Sequence, residues 1–307
     1  MRASKFLIIM AAAFQIVSFQ NCDGSFAVLP ATEEGASITD EADGVLEADQ
    51  GDMYFFGFAK AAIDDPTVQQ QRAVDANNRV SGAIALWDRF KLDVLSEVVS
   101  NTPAQLIVDK NVVTARLNAY AGSLKPSDTL VIYSHSHGLD NRLAPDGSTR
   151  EGGLLVGVEQ GIGKMTWSEY AEHLLSLPAK NVIVFTMACF SGNLVEILNT
   201  PALKARWENR RKEGRSFVVI TAQNSDLLSG PANINGTMIN ALPYAIEQAF
   251  AGRADGHRDE FIQGTLDGRL TLGELVYYTL HTSRTAGVGN TNDSQMIGSF
   301  DPALVLQ

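Results

Sequence analysis

Two short stretches of the chain carry side chains that could take part in catalysis. Residues 134–138, "SHSHG", place two of the five histidines two positions apart at the end of an apolar run. Residues 187–193, "MACFSGN", place one of only two cysteines, Cys189, at the end of another such run. A cysteine nucleophile needs a base and donors for the oxyanion, whereas a histidine pair on one face of a strand could bind a metal ion. The sequence is therefore compatible with two kinds of hydrolase, a cysteine-dependent one and a metal-dependent one.

The metal alternative rests on His135 and His137. The sequence "HSHGLD" resembles the start of the H-x-H-x-D-H signature of metallo-β-lactamase-like hydrolases, but Leu139 and Asp140 stand where that signature has Asp and His. A mononuclear zinc site needs at least three protein ligands. The other three histidines lie in segments predicted as helix or peripheral loop, so a metallohydrolase is the less favoured alternative and no metal is expected.

The thiol alternative joins both stretches. Gly138 follows His137 and has no Cβ, so its backbone N–H can face a substrate. Cys189 lies 52 residues further along the chain, after the next predicted core strand. Successive strands are commonly neighbours, and open parallel sheets bind ligands beyond the carboxyl ends of their strands. We therefore expect Cys189 and His137 to meet at one edge of a sheet, as nucleophile and base.

The elements that must position these side chains alternate along the chain. Apolar runs predict strands at residues 53–59, 104–108, 128–135, 181–189 and 216–223. Three- and four-residue apolar spacing predicts helices at residues 80–98, 111–121, 167–177, 193–212 and roughly 237–250. This alternation predicts a single α/β domain with a mostly parallel sheet of about six strands and helices on both faces.

Two capping boxes mark helix starts in this pattern, Thr166 with Glu169 and Thr271 with Glu274. Residues 267–274, "DGRLTLGE", also resemble the second half of a calcium-binding EF-hand loop. The first-half positions carry Gln263 and Thr265 rather than carboxylates. Helix capping is therefore the preferred interpretation of that segment.

A strand that runs into His-Ser-His-Gly (residues 135–138), followed by one that runs into Ala-Cys-Phe-Ser-Gly (residues 188–192), resembles the caspase-like cysteine peptidases, especially their legumain-like bacterial members. "ITAQN", residues 220–224, is similar to a stretch on the next strand of legumains, and the likeness spans most of residues 53–307. The resemblance implies a caspase-like fold and a Cys189–His137 dyad. It also implies an oxyanion hole made by the N–H groups of Gly138 and Cys189, and it implies no cofactor.

The candidate substrate-binding residues depart from the family pattern. Metacaspase-like members carry Asp two residues before the nucleophile and legumains carry Glu, whereas this chain has Met187. Arg72, in "QQQRAVD", is similar to the arginine that lines the S1 pocket of caspases and legumains. Asp226 and Ser229, in the loop after the fifth predicted strand, could line the same pocket.

The chain also has no counterpart of the Asn that orients the histidine in legumains. A catalytically inactive caspase-like domain that binds proteins or peptides is therefore the alternative to a cysteine endopeptidase. A protein or peptide is the expected partner in either case.

The first residues predict export. Arg2 and Lys5 precede an apolar run at residues 6–19, which is too short to span a bilayer but suits a signal peptide over residues 1–22. Cleavage near residue 27 after "SFA" is one alternative, and lipid modification of Cys22 is the other. Both predict a periplasmic or extracellular protein, and the second anchors it to a membrane. Neither leaves a cysteine to pair with Cys189.

Charge separates the leader from the rest of the 307 residues. The net charge is −11, and residues 31–52 hold eight Asp or Glu without any Lys or Arg. Residues 23–52 are therefore expected to form an acidic flexible spacer before a peptidase domain over residues 53–307. A general nucleic-acid binder needs clustered basic side chains, so the composition argues against that class. The 45% of hydrophobic residues suffices for a sizeable core.

Overall fold

The computed structural model describes residues 51–60, 69–97, 108–143, 148–156 and 163–306, all within one compact unit. The predicted signal peptide, Cys22 and nearly all of the acidic spacer lie outside these residues. The strands are β1 (Met53–Lys60), β2 (Phe90–Glu97), β3 (Thr129–His135), β4 (His137–Leu139), β5 (Arg142–Leu143), β6 (Thr149–Arg150), β7 (Gly153–Leu155), β8 (Lys164–Thr166), β9 (Asn181–Met187), β10 (Ser216–Thr221), β11 (Pro231–Ile234), β12 (Thr237–Asn240) and β13 (Gln295–Ser299). The helices are α1 (Gln69–Ala85), α2 (Lys110–Ser123), α3 (Trp167–Ser176), α4 (Gly192–Leu198), α5 (Pro201–Lys212), α6 (Ala241–Gln248) and α7 (Leu272–Thr285), with a π-helical turn at Ala249–Arg253.

Six of these strands form the central sheet, in the order β13-β10-β9-β3-β1-β2. Five of them run parallel, and β13 pairs antiparallel with β10 at one edge. Every residue of β3, β9 and β10 is buried, as continuous apolar runs require when helices cover both faces of a sheet. The predicted α/β domain with a mostly parallel sheet of six strands is confirmed.

Side chains alternate between two hydrophobic cores, one on each face of the sheet. Phe55, Tyr133 and Phe185 point to the core that also contains residues of α1, α6 and α7. Their neighbours along the strands, such as Ile132 and Val184, point to the core shared with α2, α3, α4 and α5. Helices on both faces are thus confirmed as well.

The predicted helix over residues 80–98 is wrong in its second half. Helix α1 ends at Ala85, and β2 pairs parallel with β1. Phe90, Leu92 and Val94 fit the two-residue period of a strand, yet the spacing from Phe90 to Val94 equally fits a helix. Leu92 and Val94 lie exposed on this edge strand. The strand therefore has no alternation of buried apolar and exposed polar residues that would distinguish it from a helix. Residues 104–107 of another predicted strand lie outside the described residues, and Val108 lies in no strand.

Two further predicted helices have different bounds. The predicted helix over roughly 237–250 begins only at Ala241, because residues 237–240 form β12, which pairs antiparallel with β11. The predicted helix over 193–212 divides into α4 and α5 because Pro201 occupies the first turn of α5, where its missing N–H costs nothing. Both predicted capping boxes are present. Glu274 is almost fully buried, and it accepts hydrogen bonds from the backbone N–H of Thr271 at 3.0 Å and of Gly256 at 2.9 Å. One carboxylate oxygen therefore caps the start of α7, and the other ties the helix to the turn at Gly256. No helix in the described ranges is long and apolar enough to cross a membrane.

Candidate active site

Strands β3 and β9 bring the two chemical motifs to the same edge of the sheet. They are adjacent and parallel, and their register places His135 opposite Met187. His137 and Cys189 each lie two residues beyond this pair, past the carboxyl ends of the strands. The expected side-by-side placement of the two strands is therefore confirmed. The backbone N–H of Ser136 donates to the carbonyl of Met187 at 3.1 Å and extends the pairing past the strand ends.

Gly138 is packed directly against the backbone of Cys189. A Cβ atom at position 138 would lie 1.6 Å from the carbonyl oxygen of Cys189 and 2.7 Å from its carbonyl carbon. No side chain fits in that space, so only glycine is compatible with this approach. The segment that carries His137 and the segment that carries Cys189 are consequently in direct contact.

The turn that presents Cys189 has an unusual backbone. Phe190 adopts a positive φ of 55°, which non-glycine residues rarely do and which marks a turn held by its surroundings. Its N–H donates to the carbonyl of Leu227 at 2.9 Å. The Cys189 thiol is partly exposed and lies 3.4 Å from the hydroxyl of Ser229. The loop after β10 thus holds both the turn and the sulfur.

A pair of asparagines connects the His137 and Cys189 segments from behind. The Asn141 amide donates to Asn193 Oδ1 at 2.8 Å, and Asn141 Oδ1 accepts from the N–H of Gly152 at 2.7 Å. The Asn193 amide donates to the carbonyls of Phe190 at 2.9 Å and of Ser225 at 3.1 Å. Because Asn193 is buried, this network fixes the turn after Cys189 relative to the loop after His137.

A cleft of about 110 Å³ opens beside these groups. The described residues that line it are Lys60, Arg72, Ala73, His135, Ser136, His137, Met187, Cys189, Ser229, Pro231 and Asn240. The lining includes most of the candidates named from the sequence. Asp226 is not among these residues: its side chain is exposed, and its N–H donates to Asn224 Oδ1 at 3.0 Å.

Two solved structures are similar to this arrangement of strands and helices. Protein GSU0716 from Geobacter sulfurreducens has a TM-score of 0.51 at 13% identity, over 84% of this chain and 97% of its own. Caspase-1 from Spodoptera frugiperda has a TM-score of 0.50 at 10% identity, over 84% of this chain and 90% of its own. The chain has a caspase-like fold. No family model matches the sequence, and no curated protein matches it either.

His135 occupies the floor of the cleft in this caspase-like fold. Its Nδ1 is 2.9 Å from the Tyr133 hydroxyl, and its Nε2 is 3.3 Å from the Asn240 amide nitrogen. Burial, followed by the charges of His137 and Arg79, lowers the pKa of His135 to about 3. The neutral ring can donate from Nδ1 to Tyr133 and accept at Nε2 from Asn240. Both nitrogens are therefore engaged within the protein, and a metal ion would have to displace one of these partners.

A buried glutamine that was not among the predicted site residues organises the loop that bears Ser229. Gln223 is fully buried, and its amide donates to the carbonyls of Leu228 at 3.1 Å and Thr291 at 2.7 Å. Its Oε1 accepts from the N–H of Asp293 at 2.9 Å. The sequence places this glutamine at the end of an apolar run, but two of its partners, Thr291 and Asp293, lie 68 and 70 residues further along the chain. Lys60, Ser136, Pro231 and Asn240 were missed in the cleft for the same reason.

Proposed function

We propose that this protein is a cysteine endopeptidase of the legumain-like kind, with Cys189 as nucleophile and His137 as its acid–base partner. The observation that carries the proposal is the contact between Gly138 and the Cys189 backbone. That contact puts a histidine and a thiol at the wall of one cleft, on a caspase-like fold. The strained turn at Phe190 and the asparagine network also support it, because both hold the reacting groups in place.

The proposed reaction has two steps, acylation of Cys189 and hydrolysis of the resulting thioester. His137 takes the proton of the Cys189 thiol as the sulfur attacks the carbonyl carbon of a peptide bond, and the resulting oxyanion is stabilised by the N–H groups of Gly138 and Cys189. The C–N bond breaks while His137 passes a proton to the departing amine, which leaves a thioester on Cys189. Water, deprotonated by His137, then attacks the thioester, releases the carboxylic acid product and restores the thiol. No cofactor is required.

The full chain can be tested with a peptide library in which the residue on the amino side of the scissile bond is varied over all amino-acid types. We expect cleavage by the wild type, and its loss in Cys189→Ala and His137→Ala. The matched control is His281→Ala, which removes an exposed histidine of α7 outside the cleft. Labelling by a thiol-directed acyloxymethyl ketone should require both Cys189 and His137. A wild type that neither cleaves nor labels would instead be a catalytically inactive peptide-binding module.

The proposal includes export to the periplasm or the cell exterior. It is supported by Arg2 and Lys5 before an apolar run, and by the acidic spacer that follows. Intact-mass analysis of the mature protein distinguishes the two processing routes. A diacylglycerol adduct lost in Cys22→Ser identifies a lipoprotein, and a free N-terminus near residue 28 identifies ordinary cleavage. A mature protein that begins at Met1 would contradict export.

A further inference from the structure

Strand β2 forms an edge of the central sheet and leaves one side of its backbone open. Among the strands that the structure describes, β2 pairs with β1 alone. The N–H and C=O groups on its outer side can therefore accept another extended segment, as exposed sheet edges do. This edge lies two strands away from β9, which carries the nucleophile proposed above, so its role is separate from that of the cleft.

Exposed apolar side chains lie on this strand and in the turn that leads into it. Leu86 in that turn is 74% exposed, and Leu92 and Val94 of β2 are 42% and 36% exposed. The pairing with β1 places Leu92 beside Phe55, whose side chain belongs to the core that contains residues of α1. The apolar face of the strand therefore extends this core to the rim of the sheet, where a second apolar surface could cover it.

The sequence of the edge strand, "FKLDV", is self-complementary. Its central residue is Leu92, which has a cation on one side, an anion on the other and an apolar residue at each end. If two copies pair antiparallel about a two-fold axis at Leu92, each Lys91 lies opposite Asp93 of the other copy. The same pairing sets Leu92 opposite Leu92 and Phe90 opposite Val94. Opposite charges and apolar side chains at facing positions both stabilise a strand pair.

The charges also exclude the neighbouring registers. An axis at Lys91 would put two lysines opposite each other, and an axis at Asp93 would put two aspartates opposite each other, which destabilises a strand pair. The Lys91 side chain is 57% exposed although its ammonium lies 2.7 Å from Asp52. The Asp93 carboxylate accepts from the Tyr120 hydroxyl at 3.2 Å and is 22% exposed. Since a carboxylate can accept several hydrogen bonds, a pair between copies need not displace these partners.

We propose that the edge of β2 binds a second copy of this chain, in an antiparallel pair centred on Leu92. The central sheets of the two copies then form one continuous sheet. The two-fold axis is perpendicular to that sheet, so the proposed active-site clefts open in opposite directions. One short strand and a few apolar side chains make a small interface, and we therefore expect a dimer that dissociates on dilution. This association is independent of the proposed peptidase activity.

Sedimentation velocity of the full chain, from about 1 µM to about 200 µM, tests for this dimer. We expect monomer at the lowest concentration and a growing fraction of dimer above it. Leu92→Lys places two like charges at the axis and should weaken association by at least about tenfold. The matched control is Leu266→Lys, which changes a leucine that is 79% exposed outside β2 and should keep the dimer. A monomer at every concentration, or a dimer that Leu92→Lys leaves unchanged, overturns the inference.

A second experiment tests the register through its charges. Lys91→Glu or Asp93→Lys alone puts like charges opposite each other at two symmetric positions, so each variant should associate at least about tenfold more weakly than the wild type. In an equimolar mixture the two variants offer each other opposite charges, and a heterodimer of nearly wild-type affinity should form. Urea unfolding verifies that each variant is folded. A mixture of folded variants that stays monomeric where the wild type dimerises overturns the inference.

Discussion

Gly138→Ala perturbs the proposed site at its tightest contact. The new methyl carbon would lie 1.6 Å from the Cys189 carbonyl oxygen, 2.7 Å from the carbonyl carbon and 3.1 Å from the amide nitrogen. All three neighbours are backbone atoms, so no side-chain rotation can relieve the overlap. To reach an ordinary separation of about 3.5 Å, the His137 segment and the Cys189 turn must move apart by roughly 1.5 to 2 Å.

Both activity and stability should respond to that movement. A displacement of about 1 Å at a reacting centre can cost about 100-fold in rate, so we expect kcat/KM to fall by at least about 100-fold. Overpacking of this kind costs about 1 to 3 kcal/mol of unfolding free energy. The folded population should therefore remain large enough for kinetic assays, and denaturant titration can verify this for each preparation.

The matched control is Gly82→Ala in α1. A Cβ at position 82 meets nothing within 4 Å, and alanine is the better helix former, so this variant should gain about 0.5 to 1 kcal/mol and keep full activity. The assays are peptide cleavage, ketone labelling of Cys189 and urea unfolding. A Gly138→Ala enzyme that is folded and retains wild-type kcat/KM would show that the contact does not set the geometry of the dyad.

Three further predictions follow from buried polar groups. Asn193→Ala removes the link between the Cys189 turn and Asn141, and it should lower kcat and cost about 1 to 3 kcal/mol in urea unfolding; unchanged values for both would refute the positioning role. Glu274→Ala removes a buried cap, and it should cost about 1 to 2 kcal/mol while leaving kcat/KM unchanged; loss of activity at full stability would contradict a purely structural role. His135 has a folded pKa near 3 against 6.5 when unfolded, so the unfolded chain binds more protons between these values and wild-type stability should fall as pH drops from 6.5 towards 3. Urea unfolding at pH 7 and pH 4 measures how much unfolding free energy each protein loses between these pH values. His135→Gln should lose less than the wild type, and an equal loss in both proteins would contradict the lowered pKa.

Local patterns in the sequence were enough to predict the buried strands and the helix starts. Apolar runs such as Val182 to Phe185 predict buried strands because each residue faces a helix-covered side of the sheet. Capping boxes fixed the starts of α3 and α7 because both partners lie three residues apart. The placement of the strands before His137 and Cys189 also followed from the sequence, since successive strands tend to be neighbours.

The edges of the sheet and the walls of the cleft depend on contacts between distant segments. The residues of β2 fit two periods, and pairing with β1 selected the strand. Antiparallel β13 closes the other edge through contacts with a segment about 80 residues away. Lys60, Arg72 and Asn240 meet in one cleft although no periodicity relates their positions. Local sequence encodes which face of an element is apolar, but which distant side chains share a cavity depends on how those faces pack together.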